Sequence, residues 1–294
     1  MTTDSDKNSK EIPLPVRVYS SDNAKYNIVA TLRSLVKEFP AAHALGLRFA
    51  SRNISTRYRQ SIFGLLWAFL PPLVTATIWI FLNKNNVIKL GDVGAPYPLF
   101  VITGTMLWSV FTNAVLMPMQ IVQSNKSILV KINFPREALI INAFYEIAFN
   151  ALVSCVIIAV FMVVLKVDIS ARFLLFFPGI LLTMLLGMSL GLLILPFSLL
   201  YKDIQFGLPS VLQFAMYLTP IVYAKQPFAG LGKILKINPV TPVLTETRAC
   251  LLNMNVYVPH WEIGLVASIA VVLFVIGIFL QRITMQTLIE RMGS

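Results

Sequence analysis

Arg-Tyr-Arg-Gln-Ser-Ile-Phe-Gly-Leu-Leu-Trp-Ala-Phe-Leu-Pro-Pro, residues 57–72, is the stretch that decides the fold. Two arginines stand at its mouth, and an uncharged run continues behind them from Ser61 to Asn83. That run is long enough to cross a bilayer, which takes about 20 mostly apolar residues at a rise of about 1.5 Å each. Arginine placed just before such a run stays on the cytoplasmic side, and Trp67 in the first turns falls where an indole prefers the headgroup level. Pro71 and Pro72 interrupt the run, and backbone broken at that depth must be shielded by protein or water. The segment therefore reads as a cationic doorstep to a kinked, protein-facing helix.

The same residues carry a family pattern. R-Y-x-Q-S-x-x-G-x-L-W-x-x-x-x-P, borne here by Arg57, Tyr58, Gln60, Ser61, Gly64, Leu66, Trp67 and Pro72, resembles the opening of the permease subunit of type 2 ABC exporters for polysaccharides. That family moves O-antigen, capsule or teichoic-acid chains on lipid carriers. Further matches lie at Tyr201-Lys202-Asp203-Ile204 (where the usual arginine is lysine), Thr219-Pro220-Ile221, Asn238-Pro239 and Arg248. Together they cover the chain from about Arg57 onward and leave the N-terminal tail unmatched.

Composition agrees with a membrane protein. The 294 residues are 57% hydrophobic and 13% charged, with mean hydropathy +0.76; a soluble domain carries about twice that charge fraction. The formal net charge of +11 raises nucleic acid as a partner, but its distribution argues against it. Ten of the 24 Lys and Arg residues precede Gly64 and most others lie between apolar runs, which is a topology signal and suits an anionic inner leaflet. Cys155 inside a span and Cys250 in a loop form neither a disulfide framework nor a metal spacing. The first 60 residues hold no signal-peptide core, so insertion is expected through the first span.

Met1–Lys25 reads as a disordered cytoplasmic tail. Residues 26–63 read as an amphipathic interface segment: Ile28, Val29, Leu32, Leu35, Val36 and Phe39 recur at helical spacing, Pro40 ends that helix, and Ala41–Thr56 forms a second amphipathic piece. The first piece either packs on the rest of the protein or lies in the headgroup plane. Residues 64–294 read as an all-α domain of six membrane-spanning helices, at about 64–82, 97–122, 138–165, 173–201, 208–224 and 263–280. With both termini cytoplasmic, sixteen Lys and Arg lie inside and eight outside, the sense of the positive-inside rule. Gln226–Trp261 is too apolar for a free loop, so re-entrant or interfacial helices broken at Asn238-Pro239 are expected between spans five and six.

The loop Gln123–Glu137 mixes positive charge with Ile128, Leu129, Val130, Ile132 and Phe134. It reads as a short helix docking into a cytoplasmic partner, with a membrane-surface anchor as the alternative. The resemblance makes it the segment that couples to an ATPase, carried by Lys126, Leu129, Lys131, Phe134, Pro135 and Arg136, with Asn125 also on a motif position.

The chain holds no Gly-x-x-x-x-Gly-Lys-Ser/Thr run, since Gly232-Lys233 is followed by Ile234, so ATP hydrolysis is expected from a separate subunit. His43 and His260 fall on opposite sides of the membrane and share no site. Glu146 is the one clear intramembrane ionisable group, a functional hypothesis by default; without a basic partner in the spans, a structural role comes first. Trp67, Trp79 and Phe81 on the first span and Phe214, Tyr217 and Tyr223 on the fifth suit a sliding sugar chain, because ring faces bind sugars without a fixed register; packing and lipid-facing belts are the alternative. In related exporters these two spans line the channel. A lipid-linked glycan presents phosphate at the cytoplasmic headgroup level, where Arg52, Arg57 and Arg59 are expected, and guanidinium binds phosphate bidentately.

Three function classes compete. An ion-coupled carrier would need several intramembrane charges, and a lipid-glycan enzyme clustered Asp, Glu or His at one face; the sequence has neither. A permease driven by a separate ATPase is favoured by the docking-like loop and by the family resemblance. The resemblance implies a homodimer with the channel between protomers, two ABC ATPase subunits holding ATP and magnesium, no cofactor in this chain, and export of lipid-linked polysaccharide across the bacterial inner membrane. A type 2 permease for another amphipathic substrate, lipid or drug, is the alternative.

Overall fold

The computed structural model describes residues 28–59, 66–85, 93–132, 134–168, 170–223, 238–254 and 258–293. By its contacts the chain divides into residues up to Phe39 and residues from Pro40 onward. Ile28–Phe39 of the first unit is helical; the second unit holds the remaining elements.

Those elements are all helical among the described residues: α1 Ile28–Arg59, α2 Leu66–Lys84, α3 Tyr97–Ser124, α4 Lys126–Lys131, α5 Glu137–Val164, a 3-10 turn Ala171–Leu175 running into α6 Phe176–Leu200, α7 Lys202–Tyr217, α8 Val240–Leu252 and α9 His260–Gly293. Tyr97–Ser124, Glu137–Val164, Ala171–Leu200 and His260–Met285 are each long and apolar enough to cross a membrane.

The expected spans map closely onto α2, α3, α5 and α6, and α9 begins where expected but runs on to Gly293. The fifth differs. It begins at Lys202, with only Tyr201 between it and α6, and stops at Tyr217, with turns and bends over 218–222. Sixteen residues reach only about 24 Å, short of a hydrocarbon core of about 30 Å. Hydropathy misplaced it because Lys202, Asp203 and Gln205 open the helix while apolar Ile221 and Val222 lie beyond its end. Tyr223, read as part of that helix, lies beyond it as well.

Pro40 does not end a helix: α1 runs through it from Ile28 to Arg59. Proline inside a helix removes one backbone hydrogen bond and clashes with the carbonyl four residues earlier. Pro40 is exposed, so that carbonyl can find another partner. The tail read over residues 1–25 lies outside the described residues. Of the segment between spans five and six, α8 is described; its 13 residues reach about 20 Å, too short to cross, and most of them are buried.

The centre of the second unit is α3, which packs against α2, α5, α6, α7 and α8, while α6 also lies along α9. The close approach of α3 and α6 has a sequence cause. Gly187 and Gly191 are four apart and face the α3 backbone: a Cβ at Gly187 would lie 2.5 Å from Ala114 Cβ and 2.7 Å from the Phe111 carbonyl oxygen, and one at Gly191 would collide with the Val115 carbonyl. Small residues at this spacing let membrane helices meet backbone to backbone.

Candidate functional site: a cationic helix, a short basic loop helix and an aromatic face

The C-terminal half of α1 lies on the start of α5. Gly46 makes room for the contact, since a Cβ there would sit 2.7 Å from the Ala138 carbonyl oxygen. His43 Nε2 and the Tyr145 hydroxyl share a hydrogen bond of 2.8 Å. Glu146, 1% exposed, accepts from Asn53 Nδ2 at 2.9 Å and from Arg57 Nη2 at 2.5 Å. The sequence reading missed this partnership, because Arg57 belongs to an element read as interfacial, 89 residues away. Burying a carboxylate is tolerable only when it is paired and hydrogen-bonded, and α1 supplies both.

The three arginines differ in their surroundings. Arg57 is 45% exposed and engaged by Glu146. Arg52 lies over the Phe49 ring, 5.3 Å from its centroid, and donates to Asn53 Oδ1 at 3.4 Å. Arg59 is exposed at the end of α1.

The loop 123–137 contains a short helix, α4. The buried Asn125 leads into it: its Nδ2 donates to the Ile121 carbonyl, and its own carbonyl accepts from the amides of Ile128 and Leu129. Leu129 is buried, while Lys126 and Lys131 are exposed. Phe134 packs edge-on against Phe49 of α1, with centroids 5.8 Å apart. Pro135 and Arg136 lead into α5. Burial pushes the Arg136 guanidinium below its ordinary range; adjacent Glu137 opposes that shift and Arg282 adds to it. Glu137 is also bonded to Arg282 of α9 at 3.0 Å. The segment is therefore tied to α1 on one side and to α9 on the other.

The aromatic residues separate into two groups. Trp67 and Phe81 are exposed on one face of α2 together with Leu70, Val74 and Ile78; Phe214 and Tyr217 are exposed on α7. Half-buried Trp79 meets Tyr217 at 6.5 Å between centroids, which joins the two helices. Tyr223 is not on this face: it is buried, and its hydroxyl donates to the Tyr217 carbonyl.

Arg248, on a position of the family pattern, has a structural role. It is 4% exposed, donates to the carbonyls of Ile221 at 2.7 Å and Pro220 at 2.9 Å, and lies over the Phe100 ring at 3.6 Å. Asn238 works beside it, donating to Thr219 Oγ1 and accepting from the Val240 amide. Together they hold the turn after α7 against α3 and α8. Among the described residues no group of three His, Cys, Asp or Glu could hold a metal ion.

Long apolar helices, an exposed cationic helix end and a buried polar tie between them define an integral membrane protein, helical in its described elements. The ABC-2 type transporter family model matches residues 47–252, and the chain belongs to that family. It is similar to O-antigen export system permease proteins RfbA. One from Klebsiella pneumoniae is 24% identical over 206 residues, covering 69% of this chain and 78% of the relative. One from Myxococcus xanthus is 22% identical over 73% of this chain and 83% of its own. A second from Klebsiella pneumoniae is 22% identical over 78% of this chain and 87% of its own.

Proposed function

We propose that this chain is the permease subunit of an ATP-driven exporter that moves lipid-linked polysaccharide of the O-antigen class across the bacterial inner membrane. The observation that carries the reading is the family match across residues 47–252, joined to relatives named as O-antigen export permeases over more than two thirds of the chain. In this reading the chain crosses the membrane six times with both termini cytoplasmic, residues 218–223 completing the short fifth crossing begun by α7, and α8 forms a re-entrant piece. Two copies enclose the channel, and two ABC ATPase subunits bring ATP and magnesium.

Each cluster then has a task. Arg52, Arg57 and Arg59 receive the carrier phosphate at the headgroup level. Trp67, Trp79, Phe81, Phe214 and Tyr217 offer flat faces to the sliding sugar chain, and Tyr223 supports Tyr217 from behind. The coupling segment, with Lys126, Leu129, Lys131, Phe134, Pro135 and Arg136, takes up the ATPase stroke. Its ties through Phe49 and through Glu137 to Arg282 support that role, because a displaced loop would carry α1 and α9 with it.

The reading is tested by reconstituting the chain with the ABC ATPase from its genetic neighbourhood and adding lipid-linked glycan. Stimulated ATP hydrolysis and glycan accumulation on the far side are expected. Stimulation by unrelated amphiphiles alone would assign the permease to another substrate.

A further inference from the structure

The side chains of Asn142, Glu146, Asn150 and Ser154 recur at every fourth position of α5, so they share one face, and all four are buried. Ser154 donates to the Asn150 carbonyl and Glu146 accepts from Asn53 and Arg57. Asn142 is 0% exposed, and neither its Nδ2 nor its Oδ1 has a hydrogen-bond partner among the described residues. A buried amide left unpaired is costly, and each native instance calls for an explanation. Arg57, by contrast, is open to an incoming anion, since nearly half of its side chain is exposed.

We propose that Glu146 is a resident counter-anion for Arg57 that gives way to a phosphate-bearing lipid headgroup, and that Asn142 receives the displaced carboxylate. The inference rests on the reading of Arg57 as a headgroup site. One turn separates Asn142 from Glu146, the spacing at which helix side chains meet, and Asn142 Nδ2 is a donor without an acceptor among the described residues. At rest, Arg57 and Glu146 neutralise each other. After exchange, phosphate neutralises Arg57 with a bidentate grip, while Glu146 accepts from Asn142 and Asn53. The carboxylate is hydrogen-bonded in both states, as a charge at this depth requires. A fixed strut between α1 and α5 would give Asn142 no role.

The test uses the full chain in phosphatidylcholine nanodiscs, titrated with a fluorescent phosphatidic acid as the probe. Glu146→Gln removes the competitor and keeps the Asn53 bond, so the probe should bind about fivefold tighter, the equivalent of one modest ion pair. Asn142→Leu should weaken binding several-fold in the parent and change nothing in the Glu146→Gln background, where no carboxylate needs a new place. Unchanged or weaker binding by Glu146→Gln, or an equal Asn142→Leu effect in both backgrounds, overturns the exchange. Should Glu146→Gln fail to fold, Glu146→Asp, one methylene shorter, must also tighten binding, and an unshifted titration overturns the proposal. Arg57→Gln separates the two layers: if it binds like the parent, the headgroup reading itself fails, whereas its loss without a gain in Glu146→Gln sinks only the exchange. Inorganic phosphate should compete poorly; competition equal to that of the lipid would assign the site to free phosphate.

Discussion

Arg248 sets its guanidinium against two carbonyls and one ring, without a carboxylate partner among the described residues. Arg248→Met would leave the Pro220 and Ile221 carbonyls buried and unpaired, a loss of about 3 kcal/mol, read as earlier thermal unfolding of the purified protein. Arg248→Lys should recover only part of it, because a point charge cannot replace a planar fork over Phe100. Equal stability of the Lys and Arg forms would show that charge alone matters there. At Arg57 and Arg59 a double change to Lys keeps the topology signal and removes the forks. Insertion and assembly should be normal and export should fall about tenfold or more, two lost bidentate contacts being ample for that; export at the parent rate would return both residues to topology. The family was legible at this scale because a local motif spells it out. The Glu146 pairing was not, since nothing in the spacing of two segments 89 residues apart says that α1 folds back onto α5.

Elements were legible where hydropathy alone forms them. The runs of α3 and α6 are unbroken by charge and that of α5 holds only Glu146 within it, so length fixed their positions to within a few residues. The reading slipped where local chemistry and tertiary support disagree: at Pro40, which α1 accommodates, and at α7, whose polar start sits beside the end of α6. The glycine seam makes a prediction for these helices. Gly191→Leu must force α6 away from Val115, so the variant should insert as single helices but fail to give a stable bundle, seen as loss of a monodisperse peak on size exclusion. A well-behaved variant would mean that the helices can separate without harm. For the coupling segment, Phe134→Ala with Arg136→Ala should leave insertion and ATPase association intact while export drops and substrate no longer stimulates ATP hydrolysis. Export at the parent level from a stable complex would refute the docking role.

For the whole molecule the decisive quantity is the length of the glycan. If Trp79 and Tyr217 form part of a sliding surface, replacing both by Ala should slow export of long chains more than short ones, because each further sugar passes the same face. Basal ATP hydrolysis should stay unchanged, and Leu should rescue poorly, restoring volume without a flat ring. A length-independent rate would assign the pair to packing between α2 and α7. The contact of Phe134 with Phe49 bears on inheritance as well as on force transmission. A permease given a foreign loop to make it answer to a foreign motor would meet its own α1 with the wrong ring. Grafts between relatives should therefore succeed only when the stretch around residue 49 travels with residues 123–137, and the smallest transplantable module of this protein is discontinuous in its gene.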